Sequence, residues 1–275
     1  MSIMKKLLLF FIVVTLVFAS AIPASAANID DTYIDGYNYL RSHGFDERII
    51  EMMDDDEICK YSKATETSTE TMYYAYVYDH ALDETVVESY TANEYLHAYN
   101  RTNTRAENSK SYSWMELTII STHMQGDQFE IMMTFDWKTN PFVRYTDVAA
   151  LTFDTRVIPQ KNTGEAKFTY TNSKGIELTA NYTPNIVYSE YGVYTRLDIP
   201  GWGNKDMYGY LSVSAKVNSI SGNTVLFNNW AYYAHKTNVL SATVNVTIPV
   251  GGGITITPTN SFNTVDVGLV TSYEP

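Results

Sequence analysis

The chain of 275 residues contains a single cysteine, Cys59. One cysteine excludes an intramolecular disulfide framework and a zinc site built from several cysteines. Exported eukaryotic chains of this size usually carry paired cysteines, so the lone thiol favours a bacterial exported protein. Cys59 itself is expected to be a small buried apolar residue, and a disulfide-linked dimer is the alternative.

Positively charged residues are scarce: 19 Lys and Arg stand against 31 Asp and Glu, for a net charge of −12. This acidity argues against nucleic-acid binding, because binding a phosphate backbone needs clustered cations. Repulsion between like charges also disfavours bare anionic membranes and anionic wall polymers as partners. A surface partner is therefore expected to be neutral, cationic or bridged by a divalent ion.

Motifs for catalysis and cofactor binding are missing as well. Beyond residue 26 there is no His-Glu-x-x-His, no Gly-x-Ser-x-Gly, no Ser-x-x-Lys and no phosphate-binding loop. The five histidines are scattered, and the acidic run at 54–57 lacks the spacing of an EF-hand loop. We therefore expect no cofactor and no metal, and the sequence favours a non-enzymatic protein.

The chain has only one long apolar run, at residues 7–18. It follows two lysines and precedes Pro23 and the small residues 24–26, which gives it the three parts of a secretory signal peptide. It is shorter than the roughly 20 residues that a transmembrane helix needs. We predict cleavage after Ala26 and a secreted, extracellular protein without a transmembrane anchor. Removal takes two lysines and no acidic residue, so the net charge becomes −14.

The mature chain divides into three parts by composition. Residues 27–61 form an acidic helical prefix, in which Asp46 suits a helix start and Gly44 a helix end. Residues 62–110 predict a linker or strand lead-in, a tyrosine-rich strand and a short helix. Residues 111–275 read as repeated strands and turns, which predicts an antiparallel β-sandwich, either one large or two small. The predicted fold class is mainly β, preceded by a short N-terminal helical segment.

The clearest element is a hairpin around a three-residue turn at 125–127. Apolar odd-numbered residues alternate with mostly polar even-numbered ones, and this pattern fixes the register. The register places Glu116 opposite Asp136, with Cβ atoms about 5 Å apart. Carboxyls this close suit the acid and the nucleophile of a retaining glycosidase, so a hydrolase with this catalytic pair is one alternative. A solvated pair screened by Lys138 is the other interpretation.

Aromatic residues are abundant, and 23 of them are tyrosines. Tyr74, Tyr76 and Tyr78 share one face of a predicted strand, and Trp202 lies in a glycine-flanked loop. Such side chains present flat apolar faces at low entropic cost, which suits recognition of glycans or proteins. Packing of strand tyrosines on a half-buried face is the alternative. The leading prediction is a non-enzymatic protein that binds a cell-surface polysaccharide or protein through these four residues.

Residues 239–259 suggest a further alternative. Two strands of alternating apolar and polar residues meet at three glycines, as in the stem of a β-pore. Pro249 and Pro258 interrupt the strands, and proline belongs at sheet edges. The segment therefore predicts either a membrane-acting hairpin that lies loosely on the body or an ordinary sandwich edge.

Overall fold

The computed structural model describes residues 31–81, 84–104, 110–141, 144–218, 224–236, 245–257 and 262–274. The helices are α1 (Asp31–Ser42), α2 (Glu47–Met52), α3 (Asp55–Lys60) and α4 (Ala92–Thr104). The first strands are β1 (Glu66–Asp79), β2 (Glu84–Tyr90), β3 (Lys110–His123), β4 (Gln128–Trp137), β5 (Thr146–Phe153), β6 (Val157–Pro159), β7 (Glu165–Thr171) and β8 (Glu177–Asn181). The others are β9 (Val187–Ser189), β10 (Gly192–Asp198), β11 (Lys205–Val217), β12 (Val225–Lys236), β13 (Asn245–Thr247), β14 (Thr255–Thr257) and β15 (Phe262–Tyr273).

Two antiparallel sheets pack face to face. The larger sheet has the order β2-β1-β3-β4-β11-β7-β8, with β6 also paired to β11. The smaller sheet has the order β15-β12-β5-β10-β9, and β13 pairs with β14 alone. One hydrophobic core joins the two, with Leu117 and Phe135 from the larger sheet and Leu151 and Phe227 from the smaller. The predicted fold class is confirmed, and the described residues build one large sandwich core.

The predicted hairpin register is also correct. Strands β3 and β4 pair with Glu116 opposite Asp136. Odd-numbered residues of both strands, such as Ile119 and Ile131, are fully buried in the sandwich core. The even-numbered face is not simply solvated, because Met132 packs under the N-terminal helices. The amphipathic pattern thus fixed the register, while the cover on the second face comes from residues far away in the chain.

Strand β1 begins earlier than the tyrosine-rich stretch. Its Ser- and Thr-rich first half pairs with β3 from Glu66 opposite His123 onwards, so this stretch is a strand lead-in. Further along β1, Ala75 and Val77 are buried against Ala98 of α4 and a cluster of aromatic rings. Both faces of this half of β1 are therefore covered, one by the sandwich core and one by α4.

The helical prefix folds onto the outer face of the larger sheet. Gly36 lets α1 approach α3, since a Cβ at this position would lie 2.0 Å from the carbonyl oxygen of Ile58. Asp46 begins α2 by accepting a hydrogen bond from the Arg48 backbone N–H (2.9 Å). Apolar side chains of the helices then cover four residues of the sheet: Ile120, Met132, Tyr208 and Tyr210.

A buried ion pair holds this prefix to the sheet. Lys167 Nζ of β7 lies 2.8 Å from Glu57 Oε2 of α3, and both side chains are less than a tenth exposed. The ammonium also donates to the Met52 carbonyl (2.9 Å) and lies 3.0 Å from Asp54 Oδ1. Tyr210 Oη donates to the other carboxylate oxygen of Glu57 (2.7 Å). Every polar atom of the pair therefore has a partner, as a buried pair requires.

The hairpin at 245–257 packs on the outer face of the smaller sheet. Strands β13 and β14 pair over three residues each, and Ile256 is buried against Val148 and Ala234. Gly252 lies flat on Trp230, because a Cβ there would come within 2.7 Å of the ring. The described part of this hairpin is thus docked on the body, which does not favour a membrane-acting stem. Residues 239–244 and 258–259 of the predicted stem lie outside the described residues.

The predicted signal peptide, at residues 1–26, also lies outside the described residues. It stays a prediction. Among the helices that are described, none is both long and apolar enough to span a bilayer.

The buried ion pair gives a stability prediction. Lys167→Met should lower the free energy of unfolding by about 3–5 kcal/mol, because the Glu57 carboxylate is left buried without a cation. Urea denaturation followed by tryptophan fluorescence measures the change.

Two controls accompany that measurement. Lys205→Met removes an exposed lysine of β11 and should alter stability by no more than about 0.5 kcal/mol. The double variant Glu57→Leu with Lys167→Met should recover most of the loss, since no charge is then stranded. Equal effects of the two single lysine variants would contradict the role of the pair.

Candidate ligand-binding site around Trp202

Trp202 is 79% exposed, more than any other large apolar side chain that the structure describes. It lies in the loop 200–204 between β10 and β11. The loop starts where the Ile199 N–H donates to the Tyr145 carbonyl (2.8 Å) at the end of the smaller sheet. An indole is a large apolar group to leave in water, so its display at this edge calls for an explanation.

Arg144 holds this loop in place. Its Nη1 atom donates to the carbonyls of Gly201 (2.7 Å) and Asn204 (3.0 Å). Its guanidinium carbon lies 5.3 Å from the centroid of the Trp202 ring, within the range of a cation–π contact. Burial lowers the pKa of the Arg144 guanidinium. The indole is thus presented on a loop whose backbone is already fixed, which reduces the entropy that a ligand must remove on binding.

A polar pocket of about 480 Å³ opens on the outer face of the neighbouring strands. Its volume is within the range of pockets that take small ligands. Its lining combines aromatic rings, a carboxylate, a guanidinium, an amide and a hydroxyl. The lining residues are Thr146, Tyr182, Asn185, Val187, Tyr194, Arg196 and Asp198.

The alternation of β10 creates this pocket. Val193, Thr195 and Leu197 point into the sandwich and are fully buried, so the side chains between them point outwards. Two hydrogen bonds then order the outward surface. Thr146 Oγ1 donates to Asp198 Oδ1 (3.0 Å), and the Asp198 N–H donates to Tyr182 Oη (3.1 Å).

The pocket and the Trp202 loop are neighbours. Arg144, which contacts the indole, is two residues before Thr146 of the pocket, a span of at most about 7 Å. Asp198 of the pocket lies only four residues before Trp202. The exposed ring and the polar groups therefore lie on neighbouring segments of the chain, and we call them together the Trp202 surface.

The tyrosine stripe of β1 does not join this surface. Tyr76 is only 1% exposed and packs at 5.1 Å from the Trp137 ring inside the sandwich. Tyr74 is also buried, and its hydroxyl hydrogen-bonds to the Asp266 carbonyl. Tyr78, which is partly exposed, meets His80 edge to face. Two of the four predicted ligand-binding side chains are thus core residues that a ligand cannot reach, because their face of β1 packs against the second sheet.

The predicted carboxylate pair does come together, but with cations. Lys138 Nζ lies 2.8 Å from Glu116 Oε2 and 2.6 Å from Asp136 Oδ2. Arg48 of the prefix adds a contact of 2.8 Å to Asp136 Oδ2. Although burial disfavours the ammonium, the two carboxylates raise the pKa of Lys138. Burial and the Glu116 carboxylate raise the pKa of Tyr73 to about 12.

Both acids thus form ion pairs within the chain, Glu116 with Lys138 and Asp136 with Lys138 and Arg48. A retaining glycosidase needs one of the two to carry a proton for the leaving group. The cluster is better explained as a clamp between the prefix and the sheet. Among the described residues, no group of three or more histidine, cysteine or acidic side chains is arranged to hold a metal ion.

Most residues of the Trp202 surface were not foreseen from the sequence. The outward side chains Tyr194, Arg196 and Asp198 could have been found, because they alternate with apolar residues on one predicted strand. The contribution of Arg144 could not, since its contacts are with carbonyls of residues 57 and 60 positions away.

No family model and no curated protein matches this chain. Similar solved structures include the collagen-binding subdomain of the Enterococcus faecalis surface protein ACE, with 9% identity and a TM-score of 0.31 over 52% of this chain and 88% of that chain. A collagen-binding domain from a Staphylococcus aureus adhesin gives 9% and 0.25 over 47% and 85%. The collagen-binding domain of the Erysipelothrix rhusiopathiae surface protein RspB gives 6% and 0.27 over 57% and 65%. Such remote, partial overlaps transfer neither a ligand nor a site residue to this chain.

The exposure of Trp202 gives a spectroscopic prediction. Of the four tryptophans, Trp114 and Trp137 are buried and Trp230 is half-buried between two glycines. Acrylamide should therefore quench Trp202 most, and Trp202→Phe should remove most of the quenchable fluorescence. Trp230→Phe is the matched control and should leave the quenching nearly unchanged. Equal quenching of wild type and Trp202→Phe would contradict the open position of this ring.

Proposed function

We propose that this protein is exported and binds a neutral or cationic glycan at the cell exterior through the Trp202 surface, without catalysis. The observation that carries the proposal is the indole of Trp202, held open to solvent on a loop that Arg144 fixes. Export rests on the predicted signal peptide.

The chemistry of a sugar matches this surface. A pyranose ring has an apolar face of C–H groups and a rim of hydroxyls. The indole offers a flat apolar face to the C–H groups, and a preordered ring loses little entropy on binding. Arg196, Asp198 and Asn185 supply charged and amide groups for the hydroxyls. Mixed lining of this kind, with a few polar groups that fix orientation, is typical of ligand sites.

Charge narrows the ligand class further. With a net charge of −14 after cleavage, the protein is repelled by anionic polymers within about 10 Å at ordinary ionic strength. The pocket itself carries one acid and one base, Asp198 and Arg196, so it does not select an anion. A glycan rich in hydroxyls or amines fits both conditions better than a phosphate-bearing or sulfated one.

The test has two stages. A glycan array and a cell-wall pull-down with the secreted protein identify a ligand, and calorimetry then measures its affinity for wild type and variants. Trp202→Ala should weaken binding about thirty-fold, because truncation of a central aromatic contact costs about 2 kcal/mol or more.

Leu226→Ala is the matched control. Leu226 is another exposed large apolar residue of the smaller sheet. It lies at the start of β12, whereas Thr146 of the pocket lies in β5, next to the end of β12. Its removal should leave the affinity unchanged. A glycan that binds Trp202→Ala as tightly as wild type would contradict the proposed surface. Blank glycan assays together with capture of a protein ligand would contradict the proposed ligand class.

A further inference from the structure

A second cleft, of about 450 Å³, lies on the outer face of the larger sheet. It opens between the end of the helical prefix and the β3–β4 turn, and none of its lining residues belongs to the Trp202 surface. The lining residues are Lys60, Lys63, Met124, Gln125, Gly126, Gln128, Phe129, Glu130, Gln160 and Ser214.

The lining of this cleft contains a buried carboxyl group. Glu130 is 4% exposed, and it accepts a hydrogen bond from Ser214 Oγ (2.7 Å) and another from Ser212. Among the described residues, no cation forms a salt bridge with it. Burial raises the pKa of Glu130, and the neighbouring Lys60 only partly offsets this effect. The ionised carboxylate is costly while it has no direct cation, so a positive group in the cleft would stabilise it.

Another buried acid of the same region, Glu57, has a cation as its partner. Glu57 is buried under the same helices, yet it contacts the Lys167 ammonium at 2.8 Å and the Tyr210 hydroxyl at 2.7 Å. Glu130 has only hydroxyl donors. The cleft therefore offers a ligand the ion pair that Glu57 already has within the protein.

Two lysines give another part of the cleft positive charge. Lys60 is half-buried and Lys63 is exposed, while Glu130 lies deeper. A ligand with positive charge alone is attracted to Glu130 but repelled by the lysines, and a phosphate or other pure anion is attracted to the lysines but repelled by Glu130. A molecule with an ammonium group at one end and a carboxylate at the other satisfies both.

The remaining polar lining fits the same ligand. Gln125, Gln128 and Gln160 contribute side-chain amides. Gln160 Nε2 donates to Gln128 Oε1, and Gln128 Nε2 donates to Asp127 Oδ1 (3.0 Å), which leaves the Gln160 oxygen and one N–H on each of these two amides. Amides of this kind pair with peptide groups as well as with carboxylates. The volume is also sufficient for a small peptide.

We propose that this cleft binds the free ammonium and carboxylate groups of an amino acid or short peptide, with the ammonium on Glu130 and the carboxylate between Lys60 and Lys63. This site is independent of the Trp202 surface, so either proposal can fail without the other.

Calorimetry with three probes tests the proposal. Glycylglycine carries both charged ends, N-acetylglycylglycine lacks the ammonium and glycylglycinamide lacks the carboxylate. We expect glycylglycine to bind and each blocked probe to bind at least ten-fold more weakly. A panel of free amino acids and dipeptides extends the search for side-chain preference. Absence of binding by the whole panel up to about 10 mM, or equal binding of the blocked probes, would overturn the proposal.

Variants locate the binding. Glu130→Gln keeps the volume and the Ser214 contact but removes the charge, so we expect it to weaken glycylglycine at least ten-fold. Burial disfavours the ionised carboxyl, so this variant should fold as stably as wild type, which a denaturation curve verifies. Lys60→Gln with Lys63→Gln should weaken glycylglycine but strengthen glycylglycinamide, because the two lysines repel a ligand that carries only positive charge.

Two control variants complete the experiment. Glu51→Gln alters an exposed acid on α2 and should leave affinity for glycylglycine unchanged. Trp202→Ala should also leave it unchanged, and Glu130→Gln should leave glycan affinity unchanged. Wild-type affinity of Glu130→Gln for glycylglycine would overturn the proposed role of the carboxyl group.

Discussion

The buried pair of Lys167 and Glu57 is the contact on which the outer face of the larger sheet depends. It joins a strand to a helix that is 110 residues away in sequence, and its polar atoms are all satisfied. A buried pair of this kind adds little net stability over an apolar contact of the same size, but a wrongly docked helix would leave both charges stranded. We infer that the pair selects one position of the helical prefix. Lys60 lies three residues after Glu57, on the same side of α3, so the same contact places Lys60 beside Glu130.

The outer face of the smaller sheet is organised differently. The β13–β14 hairpin covers its middle with apolar contacts, and Trp230 is held between Gly252 and Gly268. The cover reaches Tyr194 of β10, and further along this strand Arg196 and Asp198 form an exposed, uncovered edge. Trp202 stands at the end of that uncovered edge. The helices and the hairpin therefore cover apolar surface of the two sheets, while this strip of aromatic and polar groups stays open.

Local pattern predicted the elements well and their surroundings poorly. The period of two gave the β3–β4 register residue by residue, because a slip by one would have buried the polar face. The same period placed Tyr74 and Tyr76 on one face of β1 but could not say what that face would meet. Alternation normally separates a solvent-exposed face of a strand from a buried one, yet Ala75 and Val77 on the opposite face of β1 are buried too. The exposure of each face of β1 depends on α4 and on the second sheet. The conformation of the Trp202 loop depends on Arg144, which is distant in sequence.

The partners of the buried acids separate structural charges from a candidate site. Asp147 is fully buried but accepts hydrogen bonds from Tyr233 Oη (2.8 Å) and the Lys236 N–H (3.0 Å), and it contacts His235 Nδ1 at 2.9 Å. Asp136 contacts two cations, and Glu57 contacts an ammonium and a phenol. Asp136 and Glu57 therefore have cations within the chain, and Asp147 has three hydrogen-bonding partners. Glu130 is equally buried, faces a cleft and has only hydroxyl donors. Glu130 differs from Asp136 and Glu57 because it lines a cleft and its ionised form has no salt bridge among the described residues, so a positive group from outside the chain would stabilise that form.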